Sequence, residues 1–176
     1  MHIRLAAALA AITLPLAGCA TMSDLPAAQI GTATLSLANG QPAGTARVFA
    51  VGDQVNLVVG LTGIAPGVHG IHLHTTGQCK TPDFSSAGGH LNPLGRKHGA
   101  LAEGGKHAGD LPNVTIQPGG SGALTAELSG TPDQVRAWLF DADGSAIVVH
   151  ADPDDYLTDP SGNSGARIAC GVIKPA

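Results

Sequence analysis

From Ile30 onward, apolar and polar residues alternate in short stretches, each closed by a turn signal. A period of two places alternate side chains on opposite faces, so each stretch reads as a strand with one buried face. Segments 32–37, 46–51 and 55–59 come first, with Asn39-Gly40 and Gly52-Asp53 between them as hairpin signals. Segments 69–74, 113–116, 123–128, 146–150 and 167–173 bring the number of expected strands to about eight. Residues 136–140 read either as a further short strand or as the approach to the turn at Asp143-Gly144, and no stretch shows convincing helical periodicity. With 25 glycines, 12 prolines and only 3% aromatic residues, turns and short strands are favoured over long helices. The expected class is all-β, a sandwich or barrel in one domain.

Two stretches break that rhythm. Residues 75–110 are turn-rich, and residues 151–166 are dense in Asp, Pro, Gly and Ser. Loops of that length inside a compact domain need a function or an outside constraint. Residues 75–110 carry His90, His98, His107, Asp110 and Cys79; residues 151–166 lead into Arg167 and Cys170.

The histidines supply the chemistry. His72 and His74 lie two apart in an expected strand, so both face the same way and form a bidentate clamp. His69 has the opposite parity and is expected to point away and bond a backbone carbonyl. His150 ends another strand. With His90 these make an all-imidazole set of four, His72, His74, His90 and His150, a donor type that favours copper(II). His90, His98, His107 and Asp110 make a second set of three nitrogens and one oxygen, suited to closed tetrahedral zinc. His2 falls in the leader and needs no role. Asp141-Ala142-Asp143-Gly144 lacks the further ligands of a calcium loop and reads as a turn, as does Gly119-Gly120-Ser121-Gly122; Trp138 reads as packing.

The N-terminus reads as a targeting segment. His2 and Arg4 precede an apolar run over residues 5–16, too short to span a bilayer. It ends in Leu16-Ala17-Gly18-Cys19, which resembles a bacterial lipobox, cut before a cysteine that then carries a lipid. The expected organisation is a signal peptide over 1–18, a tether over 19–29 and a domain over 30–176. Of three cysteines, lipidation of Cys19 leaves Cys79 and Cys170 as one disulfide pair in an oxidising compartment. Localisation is then exported, tethered at the periplasmic face of a bacterial membrane, with membrane contact only through the Cys19 lipid. The net charge of −4 carries no polybasic signal for nucleic acid.

His69-Gly70-Ile71-His72-Leu73-His74, Ser86-Ala87-Gly88-Gly89-His90-Leu91-Asn92-Pro93, Arg96-Lys97-His98-Gly99, His107-Ala108-Gly109-Asp110 and Gly165-Ala166-Arg167-Ile168-Ala169-Cys170-Gly171 together resemble the copper-zinc superoxide dismutase family, over nearly all of 30–173. The resemblance implies a flattened eight-stranded Greek-key β-barrel with two long functional loops, a sandwich example of long standing. It implies copper on His72, His74, His90 and His150, zinc on His90, His98, His107 and Asp110, and His90 as the bridge. It also implies a supporting carboxylate at Asp154, a substrate-holding charge at Arg167, and disproportionation of superoxide in two half-steps, with His90 as a proton source. Thr75-Thr76 and the loop Asp155-Tyr156-Leu157-Thr158-Asp159-Pro160 depart from the commonest family pattern. Lys80, Lys97 and Lys106 are candidates for steering the anion. A homodimer is possible, with no interface implied. Two rivals stand beside the enzyme: a non-enzymatic copper- or zinc-binding lipoprotein on the same fold, and a structural β domain stapled by zinc. His150 and Arg167 argue against the second, because a zinc staple needs neither.

Overall fold

The computed structural model describes residues 27–176. The expected signal peptide, Cys19 and most of the tether lie outside the described residues. Strand β1 (Ala28–Leu37) already begins within the stretch read as tether. It is followed by β2 (Pro42–Val51), β3 (Gln54–Leu61), β4 (Gly67–His69), β5 (Ile71–His74), β6 (Val114–Ile116), β7 (Gly122–Leu128), helix α1 (Pro132–Leu139), β8 (Ser145–His150) and β9 (Arg167–Pro175). Seven strands form one curled antiparallel sheet in the order β5-β8-β9-β1-β2-β3-β7, and β4 pairs with β6. The crossings from β3 to β5 and from β7 to β8 give the Greek-key pattern. All eight expected strands are present, the fourth of them split at Gly70 into β4 and β5.

The alternation legible in the sequence builds the interior. In β3, Val55, Leu57, Val59 and Leu61 point inward, and Ile30, Leu35, Val48, Ile71, Leu73, Ile147 and Val149 meet them in the main core. Strand β8 is buried along its whole length. Its other face, Ala146 and Val148, packs with Phe84, Ala87 and Cys170 in a second, smaller core beneath the long loop. That explains why segment 146–149 reads as an unbroken apolar run and not as an alternating one.

Residues 136–140, read as a short strand or as the approach to the turn at Asp143-Gly144, form no strand: 136–139 close α1, whose buried face is Val135 and Leu139, and Phe140 is its C-cap on the way to that turn. Thr131 Oγ1 accepts from the Gln134 backbone N–H, and Gln134 Oε1 accepts from the Thr131 N–H, a reciprocal cap with Pro132 in the first turn. Eight residues make barely two turns, so the helical period has little length in which to show. Among the described residues no helix is long and apolar enough to cross a membrane.

The loop over 75–110 is anchored at three places. It runs back beside β5: Leu73 N–H donates to Gly109 O at 2.9 Å, and Leu91 N–H donates to Leu73 O at 2.8 Å. A side chain on Gly109 would meet Leu73 O at 2.3 Å, so only glycine allows this approach. Cys79 and Cys170, 91 positions apart, are joined by a disulfide with Cα atoms 5.7 Å apart. Closing so long a loop stabilises the fold by roughly 4–5 kcal/mol in the chain-entropy model. Phe84, 2% exposed, plugs the second core between those anchors.

Candidate metal centre

Strand β5 sends Ile71 and Leu73 into the barrel and His72 and His74 to its outer face, where the long loop covers them completely. In the register with β8, His72 stands opposite Val148 and His74 opposite Ala146. His150 ends β8 with its ring on the same face, and the loop returns His90 beside His74. The four side chains form one buried group whose ligand atoms lie within 4.8 Å of one another.

Four buried side-chain nitrogens have no hydrogen-bond partner among the described residues: His72 Nδ1, His74 Nε2, His90 Nε2 and His150 Nε2. They are one from each member of this group. Leaving a buried polar atom unpaired costs about 1–3 kcal/mol, so four together call for a partner that the protein does not itself supply. The opposite nitrogens are spoken for. His72 Nε2–H donates to Asp154 Oδ2 at 2.8 Å, His74 Nδ1–H to Gly88 O at 3.0 Å, and His150 Nδ1–H to Gly165 O at a long 3.4 Å. These bonds fix the neutral tautomers that turn a lone pair toward the shared centre.

Burial pushes His74 down to about 2, with His90 adding to the effect. It pushes His150 to about 3, with His72 adding to it. For His90 burial outweighs the opposing bond to Asp110 and brings it to about 4. All three are therefore neutral near pH 7, the state a metal ligand needs.

The second group gathers within the loop over 75–110. His90 Nδ1, His98 Nδ1 and His107 Nδ1 lie 2.8, 3.1 and 3.1 Å from one oxygen, Asp110 Oδ1. Asp110 Oδ2 accepts from the backbone N–H of Gly99 and His107. Burial works against the Asp110 carboxylate, but bonds from His90 and Gly99 prevail and hold it well below the usual range. His98 Nε2–H donates to Asp154 Oδ1 at 2.9 Å, so in the neutral ring Nδ1 turns a lone pair toward a carboxylate oxygen. A cation at that place relieves the contact. Three nitrogens and one oxygen fit zinc; four imidazole nitrogens fit copper(II).

Two residues join the groups. His90 offers Nε2 to the first and Nδ1 to the second. Asp154 receives His72 on one oxygen and His98 on the other. A Cβ on Gly162 would fall 1.8 Å from Asp154 Oδ1, so the loop over 151–166 closes on the carboxylate through a glycine at φ 63°.

His69 faces away from both groups, its Nδ1 2.8 Å from His150 O and its Nε2 3.0 Å from Ala65 O. Arg167 is held from two sides: one guanidinium nitrogen donates to Phe84 O at 2.8 Å and the other to Gly88 O at 2.7 Å. Gly88 O thus serves both Arg167 and His74. Lys106 Nζ donates to the carbonyl of Asp110 and braces the loop; Lys80 and Lys97 are exposed. The main-chain acceptors at Phe84 and Gly88, and the side chains of Asn113 and Tyr156 around Asp154, carry no signal of their own in the sequence. Gly88 and Tyr156 lie in stretches quoted there and Asn113 opens an expected strand, but the sequence gives none of them this role.

A flattened antiparallel barrel carrying two buried ligand groups joined by one imidazole defines a binuclear metalloprotein of the sandwich class. The profile described as copper/zinc superoxide dismutase (SODC) matches residues 42–173, and the chain belongs to that family. A protein of Caulobacter vibrioides named superoxide dismutase [Cu-Zn] is 44% identical over 149 residues, covering 81% of this chain and 84% of that protein. The crystal structure of a SOD-like protein from Bacillus subtilis superposes with a TM-score of 0.73 at 36% identity, over 82% of this chain and 99% of that one. The Cu/Zn superoxide dismutase from Brucella abortus superposes with a TM-score of 0.63 at 26% identity, over 85% and 100% of the two chains.

Proposed function

We propose that this protein disproportionates superoxide, two superoxide anions and two protons giving dioxygen and hydrogen peroxide. Copper is held by His72, His74, His90 and His150, and zinc by His90, His98, His107 and Asp110. The observation that carries the reading is the set of four buried, unpartnered imidazole nitrogens, each fixed in place by a bond at the opposite edge of its ring. Copper, when bound, supplies the one-electron couple that oxidises one superoxide and reduces the next, while zinc has no redox chemistry and fixes charge and geometry.

The side chains do the rest. Asp154 holds His72 and His98 in the tautomers their groups require. His90 Nε2 is the atom that would hold a proton for the product, since Nδ1 of the same ring is turned to the second group, where zinc would hold it. Arg167 presents a fixed positive charge beside His74 to a small anion that the net charge of −4 would otherwise repel. A non-enzymatic metal-binding role needs neither a complete four-nitrogen group nor a positioned guanidinium, so the enzyme reading is preferred.

Superoxide consumption by protein carrying one copper and one zinc tests the assignment, and Arg167→Ile tests the capture step. The variant is expected to keep both metals and lose about one to two orders of magnitude in kcat/KM, the low end of what electrostatic focusing supplies. The wild-type rate is expected to fall with salt, because screening sets in over ~10 Å at 0.1 M. An unchanged Arg167→Ile together with a salt-independent wild type would remove this residue from the mechanism.

The same reading takes the chain outside the cytoplasm, anchored through a diacylglyceryl group on Cys19, since one acyl chain alone holds a protein only marginally. The disulfide supports an oxidising compartment. Cys19→Ser is expected to move activity from the membrane fraction to the soluble fraction, and an unchanged distribution would count against the lipid.

A further inference from the structure

Asp154 bonds one ring from each ligand group, His72 and His98, and its own placement is held by several further bonds. Asn113 clamps its main chain twice: Asp154 N–H donates to Asn113 Oδ1 at 2.8 Å, and Asn113 Nδ2 donates to Asp154 O at 2.9 Å. The paired bonds imitate one rung of a β ladder between loops 41 positions apart. Tyr156 then touches three sides of the same arrangement. Its N–H donates to Asp154 Oδ1 at 2.7 Å, its hydroxyl accepts from Asn113 N–H at 2.7 Å, and its carbonyl accepts from Leu101 N–H at 3.0 Å. It does so with φ at 62°, a conformation that a bulky residue seldom adopts unless its surroundings impose it. Asn113 itself lies three residues beyond Asp110. The clamp therefore ties the chain just after the loop over 75–110, through Asp154, to His72 on β5 and His98 within that loop.

We infer that Asn113 and Tyr156 are positioning residues that lock Asp154 and thereby set metal retention at both sites. This rests on the reading of the second group as a zinc holder. Neither residue reaches an unpartnered nitrogen or the second group's oxygen; each acts only through the orientation of the carboxylate. If the Asp154 main chain shifts, both of its oxygens move together, and the rings of His72 and His98 lose their common reference. The effect of loosening the clamp should thus appear first as metal loss and only later as loss of fold.

The test follows zinc release from the fully loaded protein into a colorimetric chelator, with the thermal midpoint of metal-free protein as the measure of structural damage. Losing a partner of a metal-bound histidine typically costs 10–100-fold in metal affinity, and one step further out the expected rise in release rate for Asn113→Ala is about tenfold. Tyr156→Phe, which keeps the ring and removes one acceptor, is expected to give a smaller rise in the same direction. Thr158→Val, which breaks the Thr158–Asp155 bond in the same loop without touching Asp154, is expected to leave the rate unchanged. In an Asp154→Ala background, Asn113→Ala should add nothing to the release rate.

If the tenfold rise persisted without the Asp154 carboxylate, or if Thr158→Val matched Asn113→Ala, the clamp would be a general loop brace and the inference would fall. Zinc-loaded variants that release metal at the wild-type rate would also overturn it. Wild-type protein that takes up no zinc would instead overturn the metal assignment beneath it. Should Asn113→Ala not fold, Tyr156→Phe carries the same comparison.

Discussion

Replacing His150 with alanine will abolish superoxide consumption and copper binding while zinc stays in place. His150 Nε2 is one of four unpartnered nitrogens in the first group, and the residue offers no atom to the second. Three imidazoles remain, and a void opens where a 3% exposed ring had been. The loss should exceed the factor of about 100 that marks the upper range for removing even a partner of a ligand. The backbone is held independently, since His150 O faces His69 Nδ1 and His150 N–H donates to Gly70 O, so the strand end survives the truncation. Metal analysis beside the consumption assay decides it. Full activity with normal copper in the variant would show that the catalytic copper lies elsewhere.

Acid will unfold the metal-free protein far sooner than the loaded one. Folded, His74, His150 and His90 titrate at about 2, 3 and 4 because burial disfavours the charged rings. Unfolded, each titrates near 6.5. Below that value the unfolded chain binds more protons, so stability drops as pH falls, and the loss continues until the folded values are reached. Between pH 7 and 5 each ring costs about 2 kcal/mol, so the three together take a large share of the roughly 5–15 kcal/mol that holds a domain folded. Asp110, also held low, begins to add to the loss only nearer the ordinary carboxylate range. Bound metal occupies the same lone pairs and stabilises only the native state. Denaturant midpoints of chelator-treated protein at pH 7 and pH 5 measure the difference. Midpoints that coincided would mean that these rings are open to water when the metals are gone.

Much of this could be read along the chain, because the information is local or is carried by residue type. Alternation over 55–59 announces β3, and His72-Leu73-His74 declares two ligands on one face, since both statements need only the period of a strand. Helix α1 escaped although Thr131-Pro132-Asp133-Gln134 is a start signal, because two turns leave too short an apolar stripe. The split at Gly70 follows from its contact with the loop over 151–166, where Gly70 N–H donates to Asp152 O. The carbonyls of Phe84 and Gly88 that hold Arg167 belong to no residue type at all; they depend on the path of the backbone. The clamp on Asp154 joins residues 41 and 43 positions apart, a distance at which nothing in the local pattern predicts a partner.

Strand β8 separates two environments within a single run of residues. Ile147 and Val149 belong to the barrel interior, Ala146 and Val148 to the small core beneath the disulfide loop. Volume changes at the first pair are transmitted into the scaffold, and changes at the second into the roof above the ligands. Durability of the shell and tightness of the catalytic pocket are thus assigned to alternate positions of one strand. Neighbouring positions of the strand act first on different parts of the molecule.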